Sequence, residues 1–288
     1  MPPRPEASVR AAGTPPEFGR FSPAALSAYY RREFGTSLAV NLAYRGAVAI
    51  WTFSVIIEPL VFIVVWQTVA GSGRTGTYTA EQFVAYYLVL MVVGHLTFSW
   101  HMYEFEFRIR TGAFSPLLLR PVHPIHHDVC DNLAFKLVGL FGVLPVAVVL
   151  AVVFGADLSD TTVVTVLAFI PALLLAMALR FLVDWCLALA AFWLTKVSAL
   201  NAAYFALFTF FAGQFAPLEV LPSWMPSVAA WTPFPWMLAF PVEVLLGRRP
   251  GAELLFGYAA QLIWITAAAI VMRVIWSRAT RRYSAVGT

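Results

Sequence analysis

The chain has 288 residues, of which 60% are hydrophobic and only 12% charged. So little polar surface excludes an ordinary soluble domain and calls for an integral membrane protein. The formal net charge of +4 would suggest nucleic acid in a soluble chain, but the basic residues gather in particular loops, so they read as orientation signals and no nucleic-acid partner is expected.

The first 22 residues carry Pro2, Pro3, Pro5, Pro15 and Pro16 and no leading apolar run. Neither a cleaved signal nor an ordered domain is expected there, only a disordered cytoplasmic tail. Residues 23–42 follow with Tyr29, Tyr30, Arg31, Arg32 and Phe34, a pattern that predicts an amphipathic helix lying on the inner membrane surface. A hydrocarbon core of about 30 Å takes roughly 20 helical residues. That length predicts spans at residues 47–69, 83–105, 131–154, 163–193, 199–216 and 253–276, with a short cytoplasmic tail at 283–288. The expected fold class is all-α integral membrane: six transmembrane helices, an N-terminal interfacial helix, and re-entrant helices between spans five and six. Arg4, Arg10, Arg20, Arg31, Arg32 and Arg45 precede span one, Arg108, Arg110 and Arg120 follow span two, and Arg273, Arg278, Arg281 and Arg282 close the chain. The opposite loops hold Arg74, Arg248 and Arg249, and this asymmetry puts both termini in the cytoplasm.

Glu58, before Pro59, falls in the middle of span one. An ionised, unpaired carboxylate is costly there, so Glu58 is expected to be protonated, paired or turned to a cavity. After span two, Glu104 and Arg108, then Glu106 and Arg110, stand four apart with the acid first, which supports a helix leaving the membrane. Gly112 ends that helix. Phe114, Leu117, Leu118 and Leu119 form a short apolar cluster, with Ser115 at its start and Arg120 and Pro121 at its end. Pro121 and Pro124 are expected to stop any helix, with the next one starting at Asp128. Such a cluster on the cytoplasmic side either docks onto a partner or dips into the headgroup layer of the membrane lipid.

His95 and His101 lie at the inner end of span two, and His123, His126 and His127 crowd the loop. No metal is expected at the last three, because Pro124 should splay His123 from the others; contact with a partner or with headgroups is the expectation. Cys130 and Cys186 read as packing residues. Arg180 and Asp184, four apart in span four, read as a self-satisfied pair on one helix face. Pro171 should bend that span, and the turn to span five is placed at residues 193–198. Between Gly213 and Gly247 the chain stays apolar but carries Pro217, Pro222, Pro226, Pro233, Pro235 and Pro241. No continuous helix survives that spacing, and broken backbone at membrane depth needs protein or a water-filled cavity around it. Residues 217–245 are therefore expected to re-enter the outer side, with Glu243 at the rim of the exit and Glu219 either there or, as its proline turns favour, simply solvated. This points to a transport protein.

The run Ile109 through Pro121, IRTGAFSPLLLRP, resembles the segment of ABC-2-type exporter permeases that reads IR.G..S..LLRP. It is most similar to the viologen and multidrug exporter branch, in which two dissimilar permease chains share an ATPase. Gly213, Pro217, Leu218, Pro222, Pro233, Phe234 and Pro241 are similar to the same family's outer return. The resemblance implies that residues 112–121, with Arg110, form a coupling helix seated in a cytoplasmic ATPase, and that residues 213–247 cap the translocation path. It also implies two ATPase copies and a second permease chain, expected to be dissimilar, with a homodimer as the alternative.

A P-loop ends in Gly-Lys-Ser/Thr. The chain's two lysines, Lys136 and Lys196, follow Phe135 and Thr195, so no P-loop is present. No nucleophile–base arrangement stands out either. The chain is therefore expected to be a non-enzymatic permease subunit with no cofactor of its own, ATP and Mg belonging to the partner. The expected function is export of hydrophobic or amphiphilic, drug-like molecules across a bacterial plasma membrane. An ion-gradient carrier and a lipid- or polymer-exporting ABC-2 permease are the alternatives.

Overall fold

Helix α1 (Pro23–Ala43) begins where Ser22 Oγ accepts the Ala25 amide at 3.2 Å and Pro23 occupies the first turn. This computed structural model describes residues 22–71, 73–194 and 196–282; the two expected tails lie outside the described residues except for Ser22. A turn at Tyr44 leads into α2 (Arg45–Ala70), and a two-stranded hairpin, β1 (Arg74–Thr75) with β2 (Tyr78–Thr79), connects α2 to α3 (Ala80–Thr97). Thr79 and Gln82 form a reciprocal capping box at the start of α3. Then come α4 (His101–Arg110), α5 (Ser115–Leu119), α6 (Pro124–Phe154) and α7 (Val163–Ala188), the last also opened by a capping box, Thr162 with Thr165. A 3₁₀ turn (Leu189–Phe192) precedes α8 (Ser198–Phe211). The proline-rich return folds as a 3₁₀ turn (Leu218–Val220) and three short helices, α9 (Trp224–Ala230), α10 (Phe234–Met237) and α11 (Ala239–Leu245). Helix α12 (Ala252–Arg282) completes the described chain.

The fold is all-α apart from the hairpin. Among the described residues five helical stretches are long and apolar enough to cross a membrane: Arg45–Ala70, Ala80–Arg110, Pro124–Phe154, Val163–Phe192 and Ala252–Arg281. Helix α8, at 14 residues, is apolar but shorter. Helix α3 is the hub, since 67% of its most apolar window is buried against 17% to 28% in the other four stretches. It packs on α2, α6, α7 and α11, whereas α12 lies along α7 and α1 along α6. The other helices keep apolar faces outward, as lipid contact requires: Phe141, Val152, Val163 and Leu255 are all strongly exposed.

Three boundaries differ from the sequence reading. The fifth span, expected at residues 199–216, is helical only over Ser198–Phe211, because the chain turns at Gly213 into the outer return. The second span is not one helix to residue 105, because the chain leaves helical geometry between Thr97 and His101. A buried side chain binds the freed backbone there: Asn132 Nδ2 donates to the Phe98 carbonyl at 3.1 Å; beside it Ser99 Oγ pairs with His101 Nδ1 at 2.8 Å. The helix expected from Asp128 begins four residues earlier, at Pro124, with His123 as its N-cap. A proline in the first helical turn removes no bond and presets φ, so Pro124 starts this helix where it was expected to stop one.

Candidate functional site

The expected coupling loop leaves the protein through α4. Arg108 ties α4 down: its Nη2 lies 2.8 Å from Glu104 Oε1 and its Nη1 2.7 Å from Asp128 Oδ1. Asp128 Oδ2 accepts from Trp185 Nε1 at 2.8 Å, so α4, α6 and α7 meet at one carboxylate. Arg110 is exposed, 3.8 Å from Glu106. Gly112 then turns the chain with φ +74°, a left-handed conformation that side-chain-bearing residues rarely adopt. The Phe114 amide donates back to the Arg108 carbonyl at 3.0 Å and the Ser115 amide to Gly112 at 3.1 Å, which closes the turn.

The apolar cluster divides into a root and a tip. Phe114 is fully buried among Phe105, Phe192 and Trp276, with ring centres 5.2 to 6.3 Å away, and Leu117 is buried beside it. Leu118 is half-buried, while Leu119 is 86% exposed, flanked by exposed Pro116, Arg120 and Pro121. Of the residues assigned to coupling, then, Phe114 and Leu117 hold the loop onto the bundle. Leu119, Arg110, Arg120 and Pro121 face outward.

The histidine loop packs on α12 and α1 of its own chain. His123 packs at a tilt against Trp276 with ring centres 4.4 Å apart, and burial first, then the neighbouring His126, push its imidazole down to about 4. His126 Nδ1 meets the Tyr30 hydroxyl at 2.8 Å, and His127 Nδ1 meets Glu33 Oε1 at 2.5 Å. Arg120 reaches the same Glu33 oxygen at 3.4 Å. These contacts clamp α1 onto the start of α6 next to the loop. Within the chain, then, α1 meets His126 and His127.

At membrane depth a cavity of about 290 Å³ lies between α2, α3 and the outer return, walled by Trp51, Phe62, Phe98 and Phe205. Glu58 is exposed at it, and its Oε1 accepts from Gln214 Nε2 at 2.6 Å. Arg180 lines the same cavity but is 4% exposed. Its Nη1 donates to Thr97 Oγ1 at 3.0 Å, and its guanidinium carbon sits 4.2 Å from the centre of the Phe208 ring. Arg180 Nε stands 3.7 Å from Asp184 Oδ2, an ion pair rather than a hydrogen bond, while Tyr204 donates to Asp184 Oδ1 at 2.6 Å. The i,i+4 pair read from the sequence is present, wrapped by groups from α3 and α8.

The outer return is stitched by side chains. Gly213 has φ +82°, and a Cβ there would sit 2.6 Å from the Tyr86 hydroxyl, which donates to the Gly213 carbonyl at 2.8 Å. Tyr87 and Trp66 both donate to the Phe215 carbonyl, at 2.6 and 3.0 Å. Gln261 Nε2 holds the carbonyls of Ala172 and Trp236, each at 2.9 Å. The prolines mark helix starts: Pro217 and Pro233 precede short helices, and Pro226, Pro235 and Pro241 lie in the first turns of α9, α10 and α11, where no amide donor is needed. Pro222 is exposed between them, while Pro217, Leu218 and Pro241 are buried and Phe234 packs on Tyr204 and Phe208. Glu243 is 1% exposed and pairs with Arg249 at 2.7 Å. Burial alone would lower the Arg249 pKa, but the Glu243 carboxylate raises it overall. Glu219 accepts from Thr77 at 2.7 Å, and Arg248 lies 3.6 Å over the Tyr78 ring, so the hairpin is fastened to the return.

Sequence reasoning passed over Trp185, Asp128, Gln261 and Gln214. Trp185 and Trp276 are both buried beneath the coupling loop. Gln261 and Gln214 are polar residues in or beside apolar runs, and that is the signal that could have flagged them. No curated protein matches the chain. A family model described as ABC-2 family transporter protein matches residues 53–287, which include both the α4–α5 loop and the whole outer return. This is a multi-pass membrane protein of the ABC-2 transporter family, the membrane subunit of an ABC transporter that works with a partner ATPase.

Proposed function

We propose that this permease is an exporter subunit that moves hydrophobic or amphiphilic, drug-like molecules out of a bacterial cytoplasm. Two copies of a separate ATPase, carrying ATP and Mg, engage the α5 loop, and a second permease chain, dissimilar to this one, completes the membrane part. Both termini lie in the cytoplasm, a side supported by the arginines around α1, α4 and the end of α12. The aromatic, largely apolar cavity beside Glu58 supports a greasy substrate, because its walls offer few fixed charges.

The observation that carries this reading is the split of the coupling loop into buried Phe114 and exposed Leu119. A root locked in the bundle and a bare apolar tip suit a lever: movement of the docked tip tilts α4 and, through Arg108 and Asp128, α6 and α7. The test is co-purification with the ATPase together with stimulated ATP hydrolysis. Leu119→Asp should weaken association by at least about tenfold and abolish stimulation. The chain itself should stay folded, since the tip is bare. Association and stimulation both unchanged in this variant would remove the coupling assignment.

A further inference from the structure

Beneath the coupling loop lies a group of side chains that the transport reading does not use. His101 and Glu104 on α4 and Asp131 on α6 place one ligand atom each within 4.8 Å of one another. His101 is fully buried, and its Nε2 has no hydrogen-bond partner among the described residues. Glu104 Oε2 is likewise buried without a partner, its other oxygen being held by Arg108. His101 Nδ1 pairs with Ser99 Oγ at 2.8 Å. If Nδ1 donates in that bond, Nε2 carries the lone pair, the tautomer of a metal-ligating imidazole. Charge agrees with geometry: Arg108 is ion-paired with both Glu104 and Asp128, and Asp131 adds a third carboxylate beside His101, so three acids stand against one guanidinium already shared between two of them. A partly buried group of acids beside a buried, unpaired imidazole nitrogen is what a divalent cation would neutralise.

We propose that His101, Glu104 and Asp131 form a binding site for a divalent transition-metal ion of the zinc class, which ties α4 to α6 at the base of the coupling loop. One imidazole and two carboxylates suit such an ion better than Ca²⁺ or Mg²⁺, which favour all-oxygen shells. Ligands around one zinc ion at about 2.1 Å stand roughly 3.4 Å apart, so no pair of the three side chains has to close by more than about 1.4 Å on binding. Glu104 and Asp131, each only partly buried, have the freedom to do so. Asp128 Oδ1, 3.8 Å from His101 Nε2, stays with Arg108, and water completes the shell. The proposal does not depend on transport direction or substrate.

The test is titration of the purified, chelator-stripped full chain with zinc chloride by calorimetry. One ion per chain with micromolar or tighter affinity is expected, and His101→Gln and Asp131→Asn should each weaken it by at least about tenfold. His126→Gln should leave it unchanged. Absence of stoichiometric binding, or equal affinity in all three variants, overturns the proposal. Zinc-edge X-ray absorption on the unmodified, loaded chain gives a readout that does not depend on variant folding. One imidazole with oxygen ligands supports the site; sulfur, or two or more imidazoles, places the ion elsewhere and overturns it.

Discussion

Glu58 and Asp184 are both carboxylates in long apolar helices, and their surroundings are opposites. Asp184 is 1% exposed, receives the Tyr204 hydroxyl and faces Arg180, whose charge is spread over Thr97 and the Phe208 ring. Glu58 is exposed at the cavity and meets a neutral amide, Gln214. One acid has its compensation built into three helices. The other meets a single neutral amide and stays open to the cavity. Conformational rigidity is therefore expected around α7, and substrate sensitivity around α2.

Removing Asp184 should do the most damage. Asp184→Ala leaves Arg180 buried without its counter-charge and should cost about 3–5 kcal/mol, seen as a large drop in thermal unfolding temperature in detergent. A loss under about 1 kcal/mol would mean that Arg180 is compensated elsewhere. Next comes the stitching of the outer return: Gly213→Ala forces a side chain into φ +82° and against Tyr86, for an expected cost of about 1–3 kcal/mol by the same assay. A pH scan probes the inner end. His123 titrates near 4 when folded and near 6.5 when unfolded, so the unfolded chain binds more protons between these values. Stability should be full above about pH 6.5 and fall as the pH drops towards 4, and His123→Gln should flatten that part of the curve. Equal slopes in both proteins would remove His123 as the cause. The smallest stability effect belongs to Glu58→Gln, within about 0.5 kcal/mol, because no buried charge loses its partner. Its transport in proteoliposomes with the ATPase should nevertheless change. An unaltered substrate profile would make Glu58 a bystander.

Legibility in the sequence followed the range of the interaction. The Glu104–Arg108 and Arg180–Asp184 pairs depend on a four-residue helical repeat, and both are present. Gly112 and the prolines after Gly213 act on their own backbone, so the turn and the broken return were readable too. Pro124 misled because a proline can open a helix as well as end one, and the choice depends on the capping residue before it. The break at residues 98–100 was hidden, since its stabilising groups, Asn132 and the Arg180–Thr97 bond, come from other helices.

By itself, then, the amino-acid order determined an all-α membrane protein with a short apolar loop after its second apolar stretch and a discontinuous segment before its last. Those properties come from hydropathy and backbone stereochemistry, which act over a few residues. Tertiary structure alone decided that Phe114 is a root and Leu119 a tip, that the histidine loop grips α1, and that His101, Glu104 and Asp131 converge. Each depends on side chains brought together from separate helices, and only packing sets which faces meet.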